Sequence, residues 1–180
     1  MDASKPTKQI PSLPNLFISH GFSAPPVQSG EARLFIDLIP STAWGSNVRS
    51  RYPGEWDVFR RGCYRAAHHR CEVCGDSGVM ECHELWSYAK PPVQKLERLI
   101  CLCNLCHSAQ HYGYASVKGI TKEVDAHIRH VNAWSKRQLD AHVKKAFKIW
   151  DARNKIQWET HTALLDAAAE TLKNEKKQYL

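Results

Sequence analysis

Two cysteine motifs organise this chain: Cys71-Glu72-Val73-Cys74, and Cys103-Asn104-Leu105-Cys106, which runs directly into His107. Each CxxC pair allows two thiolates to converge on one tetrahedral ion at about 2.3 Å. The two pairs lie about thirty residues apart, which leaves room for a β-hairpin between them. The spacing therefore predicts a structural zinc ion that fixes both ends of the hairpin. The four predicted ligands are Cys71, Cys74, Cys103 and Cys106.

The cysteine content favours metal binding over disulfides. Seven cysteines cannot all pair with one another. The first residues carry Lys5 and Lys8 without an apolar signal-peptide segment, and no stretch approaches the roughly eighteen apolar residues of a membrane helix. We therefore expect a cytoplasmic protein without membrane contact, whose reduced thiolates bind metal. The CxxC pairs alone also leave open a zinc ribbon that carries no chemistry.

Composition and charge indicate one globular domain with a polyanionic partner. The chain has 180 residues, 43% of them hydrophobic, and a formal net charge of +7. The excess is concentrated after residue 111, where thirteen basic side chains stand against eight acidic ones. Basic groups near phosphates release condensed counterions, so this asymmetry favours nucleic acid as the partner. A solvated helical surface is the alternative interpretation.

The N-terminal part is expected to consist of a flexible arm followed by a short segment that contacts the core. Residues 1–32 are predicted to form a flexible arm, since they contain five prolines and no sustained apolar period. Leu34-Phe35-Ile36-Asp37-Leu38-Ile39 is a short β-like run closed by Pro40. We expect it either to add an edge strand or to cover the core.

A helix and a hairpin are predicted around the first cysteine pair. Apolar residues recur at helical spacing from Trp56 to Tyr64, with Pro53 suited to the first turn, so this helix should lead to Cys71. Residues 79–88 are strand-like. The residues Lys90-Pro91-Pro92 interrupt this pattern and separate it from an apolar stretch that leads back to the second cysteine pair.

The rest of the chain is predicted to be helical. A helix over residues 104–112 would project His107 and His111 from one face, because they are four residues apart. Two longer helices follow, the second capped by Ser135, and a third ends the chain. We therefore divide the protein into a zinc-binding domain at residues 33–115 and a packed helical extension at 116–180.

The hairpin also carries Glu81-Cys82-His83-Glu84. Together with the two cysteine pairs and the trailing His107 and His111, this pattern resembles the HNH endonucleases of the ββα-metal superfamily, over about residues 60–112. The resemblance implies an α+β fold: a zinc-bound ββα-metal core with an N-terminal cover segment and C-terminal helices. It also implies hydrolysis of DNA phosphodiesters by a second divalent metal such as Mg²⁺, Mn²⁺ or Ni²⁺.

The resemblance assigns roles to individual residues. His83 matches the strand histidine that takes a proton from the attacking water. The neighbouring metal ligand of the family is replaced by Cys82, so Glu81 or Glu84 would substitute, or else His83 is the ligand and Glu84 the base. We favour His83 as the base. His107 and His111 are then the helix ligands.

Arg98 stands where the middle asparagine of the family is expected. This departure motivates a second hypothesis, a catalytically degenerate HNH fold that binds nucleic acid or protein as a phage or plasmid regulator or inhibitor. A zinc-stabilised structural subunit is a third. Of the remaining residues, Cys63 and Cys82 are expected to be buried thiols, and His127 and His142 to lie on helix surfaces.

Overall fold

A computed structural model of the protein describes residues 32–178. The predicted flexible arm, except for Ala32, lies outside the described residues. Within this range the protein is a mixed α+β structure with seven α-helices and a three-stranded sheet, which confirms the predicted class.

The sheet is built on the predicted hairpin. Strand β1 (Met80–Ala89) pairs antiparallel with β2 (Val93–Cys103), so that Met80 lies opposite Cys103. The break at Lys90-Pro91-Pro92 forms the turn between them. A short third strand, β3 (Glu159–His161), pairs in parallel with the start of β2. The sequence analysis missed β3, because three residues are too few to show an alternating pattern.

The helices predicted from the sequence occur in the predicted order, but the one expected over residues 104–112 ends at Gln110, and two short helices, over residues 48–51 and 112–117, were not predicted. A 3₁₀ helix at Ser41–Ser46 precedes them. They are α1 (Val48–Arg51), α2 (Trp56–Ala66), α3 (Asn104–Gln110), α4 (Tyr112–Val117), α5 (Thr121–Asn132), α6 (Lys136–Arg153) and α7 (Ala163–Gln178). Ser135 caps α6 with a reciprocal capping box that includes Gln138, as the sequence predicts. None of the helices within residues 32–178 is long and apolar enough to cross a membrane.

Strand β2 is the centre of the core, with helices on both faces of the sheet. Its residues alternate between two apolar clusters: Ile100 and Leu102 pack with α3 to α6, while Leu99 and Cys101 pack with α1, α2 and α7. A strand covered on both faces has no polar side, which explains the continuous apolar run. The site described below lies on the α3 side.

The segment from Leu34 to Pro40 covers the first cluster and does not join the sheet. Leu34, Ile36 and Leu38 are 0%, 5% and 9% exposed, so the alternating pattern reflects burial of every second side chain. Of the two predicted alternatives, the cover is therefore the one observed.

Side chains from the helices take the place of a neighbouring strand for this segment. The Asn132 side chain accepts from Leu34 N at 3.0 Å and donates to Leu34 O at 2.7 Å. Ile36 N donates to His142 Nε2 at 2.9 Å, and Gln110 Nε2 donates to Phe35 O at 3.0 Å. These bonds satisfy backbone groups that a β-strand would satisfy through a ladder.

We expect Asn132→Ala to lower the free energy of unfolding by about 1–3 kcal/mol, because it leaves the Leu34 backbone groups unpaired beside the core. Urea unfolding measures the change. Gln157→Ala, on an exposed residue, is the control and should change stability by less than about 0.5 kcal/mol. Equal stability of the two variants would show that Asn132 does not hold the cover.

Candidate metal centres

Four cysteine sulfurs meet at the base of the hairpin. Cys71 and Cys74 lie in the loop between α2 and β1, Cys103 ends β2, and Cys106 lies in the first turn of α3. The four Sγ atoms all lie within 4.8 Å of one another, and those of Cys74 and Cys103 are 3.6 Å apart. A tetrahedral zinc with bonds of about 2.3 Å requires sulfur separations of about 3.8 Å. The group can therefore hold a zinc ion.

The electrostatics of the group also suit a cation. A hydrogen bond from Cys106, supported by backbone N–H groups, lowers the pKa of Cys71 to about 4 despite its burial. Burial and the neighbouring sulfurs raise the pKa of Cys74 to about 12. Four thiolates this close repel one another, so they can ionise together only around a positive ion.

Two residues that the sequence analysis did not assign to the site support the cysteine group. Glu72 Oε1 accepts from Cys101 N at 2.8 Å, and its other oxygen is 2.7 Å from Arg98 Nη1, which ties the first CxxC loop to β2. Arg98, in place of the family's asparagine, thus contributes to this support. His127 Nε2 on α5 lies 3.1 Å from Cys106 Sγ, where it can orient the sulfur.

The expectation that His127 and His142 lie on helix surfaces is wrong. Both side chains are half-buried and hydrogen-bonded, His127 to Cys106 and His142 to the backbone of Ile36. A signal was present for His127, because it lies three residues after Val124 and four before Val131, on the apolar face of α5.

A second cluster consists of the three predicted histidines. His83 projects from β1, His107 from α3, and His111 from the junction of α3 and α4. One ring nitrogen of each lies within 4.8 Å of the others, and the ring centroids are 4.6–5.3 Å apart. The i, i+4 spacing predicted for His107 and His111 is therefore realised, with β1 supplying the third ring.

Glu81 stands behind the cluster and orients one of its rings. Its Oε2 lies 2.9 Å from His107 Nδ1, and Asn104 Nδ2 donates to Oε1 at 3.4 Å. Burial lowers the pKa of His107, so the contact joins a neutral imidazole N–H to a carboxylate. This bond places the proton of His107 on Nδ1 and leaves the Nε2 lone pair for a ligand.

His83 is the most enclosed member of the cluster. It is 4% exposed, and its Nδ1 is buried without a hydrogen-bond partner. Burial, followed by the proximity of His111 and His107, holds its pKa well below the usual value. An orphaned buried nitrogen beside two more neutral imidazoles is a donor set that fits a divalent transition metal or zinc.

The structure does not bring Glu84 to this cluster. Neighbouring strand residues point to opposite faces, so Cys82 and Glu84 lie on the face away from His83. Glu84 Oε1 accepts from Val48 N at 2.9 Å, and burial raises the pKa of its carboxyl group. Cys82 packs there with the second apolar cluster, which includes the buried Cys63.

A cleft of about 390 Å³ gives access to the histidines. Its walls include Glu81, His107, His111 and Lys118. His83 does not line the cleft and lies deeper. A ligand in the cleft can therefore contact the two helix histidines, with a cationic side chain nearby.

Comparisons with known proteins give no counterpart for this chain. No protein-family model, no curated protein and no solved structure matches it. The structure by itself defines a mixed α+β protein with a cysteine group that can hold zinc and a separate histidine cluster.

We expect one zinc ion per chain to survive dialysis and to be lost in Cys106→Ala, with unfolding of the hairpin, because thiolate binding is coupled to folding. Elemental analysis of protein purified without chelator, together with circular dichroism, measures both effects. Cys63→Ala removes an equally buried thiol outside the group and should retain the ion. Unchanged zinc content in Cys106→Ala would contradict the assignment.

Stability should fall as the pH decreases from about 6.5 to 4. Burial lowers the pKa of His111 to about 4, whereas an unfolded histidine titrates near about 6.5. In that window the unfolded chain binds a proton that the folded chain does not, which costs at most about 3 kcal/mol. His111→Asn should flatten the decline in urea unfolding, while His130→Asn, on the exposed side of α5, should not. Parallel curves for the two variants would contradict this.

Proposed function

We propose that the protein is a zinc-stabilised, HNH-like nuclease that hydrolyses DNA phosphodiesters with a divalent metal. The convergence of His83, His107 and His111 beside an accessible cleft carries the proposal. Hydrolysis of a phosphodiester requires a base for the attacking water and positive charge near the phosphate. A cluster of neutral imidazoles can provide the first and hold the ion that provides the second.

His107 and His111 are the residues that would hold the metal. Glu81 fixes the orientation of His107, so we assign the carboxylate a supporting role instead of direct coordination. When bound, the divalent ion supplies Lewis-acid stabilisation of the charge that develops on the phosphate. The four-cysteine group has a separate task, which is to fix the start of α3 against the end of β2.

His83 is the proposed general base. Its lowered pKa keeps the imidazole neutral near pH 7, and Nδ1 has no protein partner and can accept a proton. Glu84 does not take part in this proposal, since its carboxylate is engaged with the α1 backbone on the opposite face.

Basic side chains around the site favour a polyanionic substrate. Lys118 lines the cleft, and a second cavity, of about 330 Å³, lies beside Glu81 and is lined by Arg49 and by Arg60, which is paired with Asp57 at 2.8 Å. Glu81 lines both spaces, so the Lys118 and Arg49 cations lie on two sides of this carboxylate. Phosphates of one strand can meet these charges in turn, in agreement with the net charge of +7.

One observation favours the alternative of a degenerate fold that only binds. Arg98 occupies the expected asparagine position and is paired with Glu72 beside the cysteine group. Arg98 therefore does not supply to the proposed site the side chain that the family uses at this position. A protein of this kind would bind nucleic acid or another protein without cutting.

The two hypotheses differ in the effect of His83→Ala. For a nuclease, plasmid nicking with Mg²⁺, Mn²⁺ or Ni²⁺ should fall by about 10²–10⁴-fold, because a general base is lost. Zinc content, thermal stability and DNA affinity should be retained. His130→Ala, an exposed histidine on α5, is the matched control and should cut normally. Absence of cutting by the wild type with all three metals would favour the binding module.

A further inference from the structure

A third cavity, larger than the cleft and the cavity described above, adjoins the histidine cluster. It has a volume of about 490 Å³ and lies between the cover segment, the hairpin, α4 and α6. This size is within the range of sites that hold small organic ligands. Its walls are rich in aromatic rings. They come from Trp44, Trp86, Tyr114, Phe147 and Trp150.

Three of these rings are held in place without being fully buried. Trp44 is 67% exposed, yet its Nε1 donates to Ile39 O at 3.2 Å. Trp150 Nε1 donates to the same carbonyl at 3.1 Å. Tyr114 is 60% exposed, with Lys118 Nζ 4.9 Å from its ring centroid. Exposed aromatic faces in fixed orientations are suited to stack on a planar ligand.

A buried hydrogen-bond acceptor among the lining residues has no partner. Gln110 is 4% exposed, its Nε2 donates to Phe35 O at 3.0 Å, and its Oε1 makes no hydrogen bond. The orientation of the amide is fixed, because the opposite one would place two oxygens against each other. A hydrogen-bond donor beside this acceptor would remove the free-energy cost of leaving it unpaired.

The cavity and the histidine cleft share a wall. His111 and Tyr114 line both spaces. A planar group stacked in the cavity therefore lies next to the residues that we propose to act on a phosphate. Base and phosphate are adjacent in a nucleotide, which matches this arrangement.

We propose that the cavity binds one unpaired nucleobase with an exocyclic amino group, whose own phosphate lies at the histidine cluster. The inference rests on the proposed function and narrows its substrate to single-stranded or locally unpaired nucleic acid. A paired base has its amino group and both faces engaged, so it must leave the stack before it can enter. An apolar occupant would leave Gln110 Oε1 unpaired.

The test measures binding and needs no cutting. The probe is a fluorescent single-stranded oligothymidylate with one central adenine, and the reference strand carries purine without the amino group at that position. Wild-type protein, without added catalytic metal, should bind the adenine strand about 5- to 150-fold more tightly, the range expected when a buried acceptor loses its donor. Gln110→Met should abolish this ratio, which is independent of any change in overall affinity.

Trp44→Ala provides a second variant that does not threaten the fold, since the residue is exposed. It should weaken binding of the adenine strand by about 5- to 150-fold, the effect of removing a stacking ring. Val79→Ala, 81% exposed and outside the cavity, is the control and should bind as the wild type does. A fully paired duplex containing the same adenine should bind more weakly than the single strand.

The outcomes separate this inference from the nuclease proposal. Equal affinity for adenine and purine strands, together with an unaffected Trp44→Ala, overturns the base site even if the protein cuts DNA. Discrimination without any cutting supports the base site while the nuclease proposal fails. Binding of adenosine monophosphate as tightly as the strand supports the base site but overturns its assignment to single-stranded nucleic acid.

Discussion

The meeting of the two cysteine pairs is the constraint on which the fold and the candidate site depend. It joins the loop after α2 to the end of β2 and to the first turn of α3. Because α3 begins at Asn104, directly after Cys103, its rotation is set by this junction. That rotation places His107 and His111 over the face of β1 from which His83 projects. The cysteine group thus sets the geometry of the histidine cluster without being part of it.

The two clusters are polar groups in an apolar interior, and the free-energy cost of burying them is compensated in different ways. Buried thiols and imidazoles lose hydration, and each requires a partner or an ion in return. The cysteine group receives support from Glu72, Arg98 and His127. Among the histidines, His107 has Glu81, whereas His83 Nδ1 has no partner. The cysteine group is thus supported from several sides, whereas the histidine cluster retains an unpaired ring nitrogen.

Strand alternation divides residues 81–84 of β1 between the two faces of the sheet. Glu81 and His83 face α3, while Cys82 and Glu84 face α1 and α2. The cover segment then closes the first face through hydrogen bonds with the side chains of Asn132, His142 and Gln110. In doing so it forms one wall of the aromatic cavity beside His111. The same packing that covers the core therefore also forms this cavity.

The sequence by itself determined the local features: the hairpin between the cysteine pairs, the longer helices with the cap at Ser135, and the three histidines as candidates for one site. These follow from spacing and period, which act over a few residues. Only the tertiary structure decided that the β-like run at Leu34 is a cover, that Glu84 lies apart from the histidines, and that His127 contacts Cys106. Each of these outcomes depends on a contact between segments more than twenty residues apart, and spacing within one segment carries no information about such a contact.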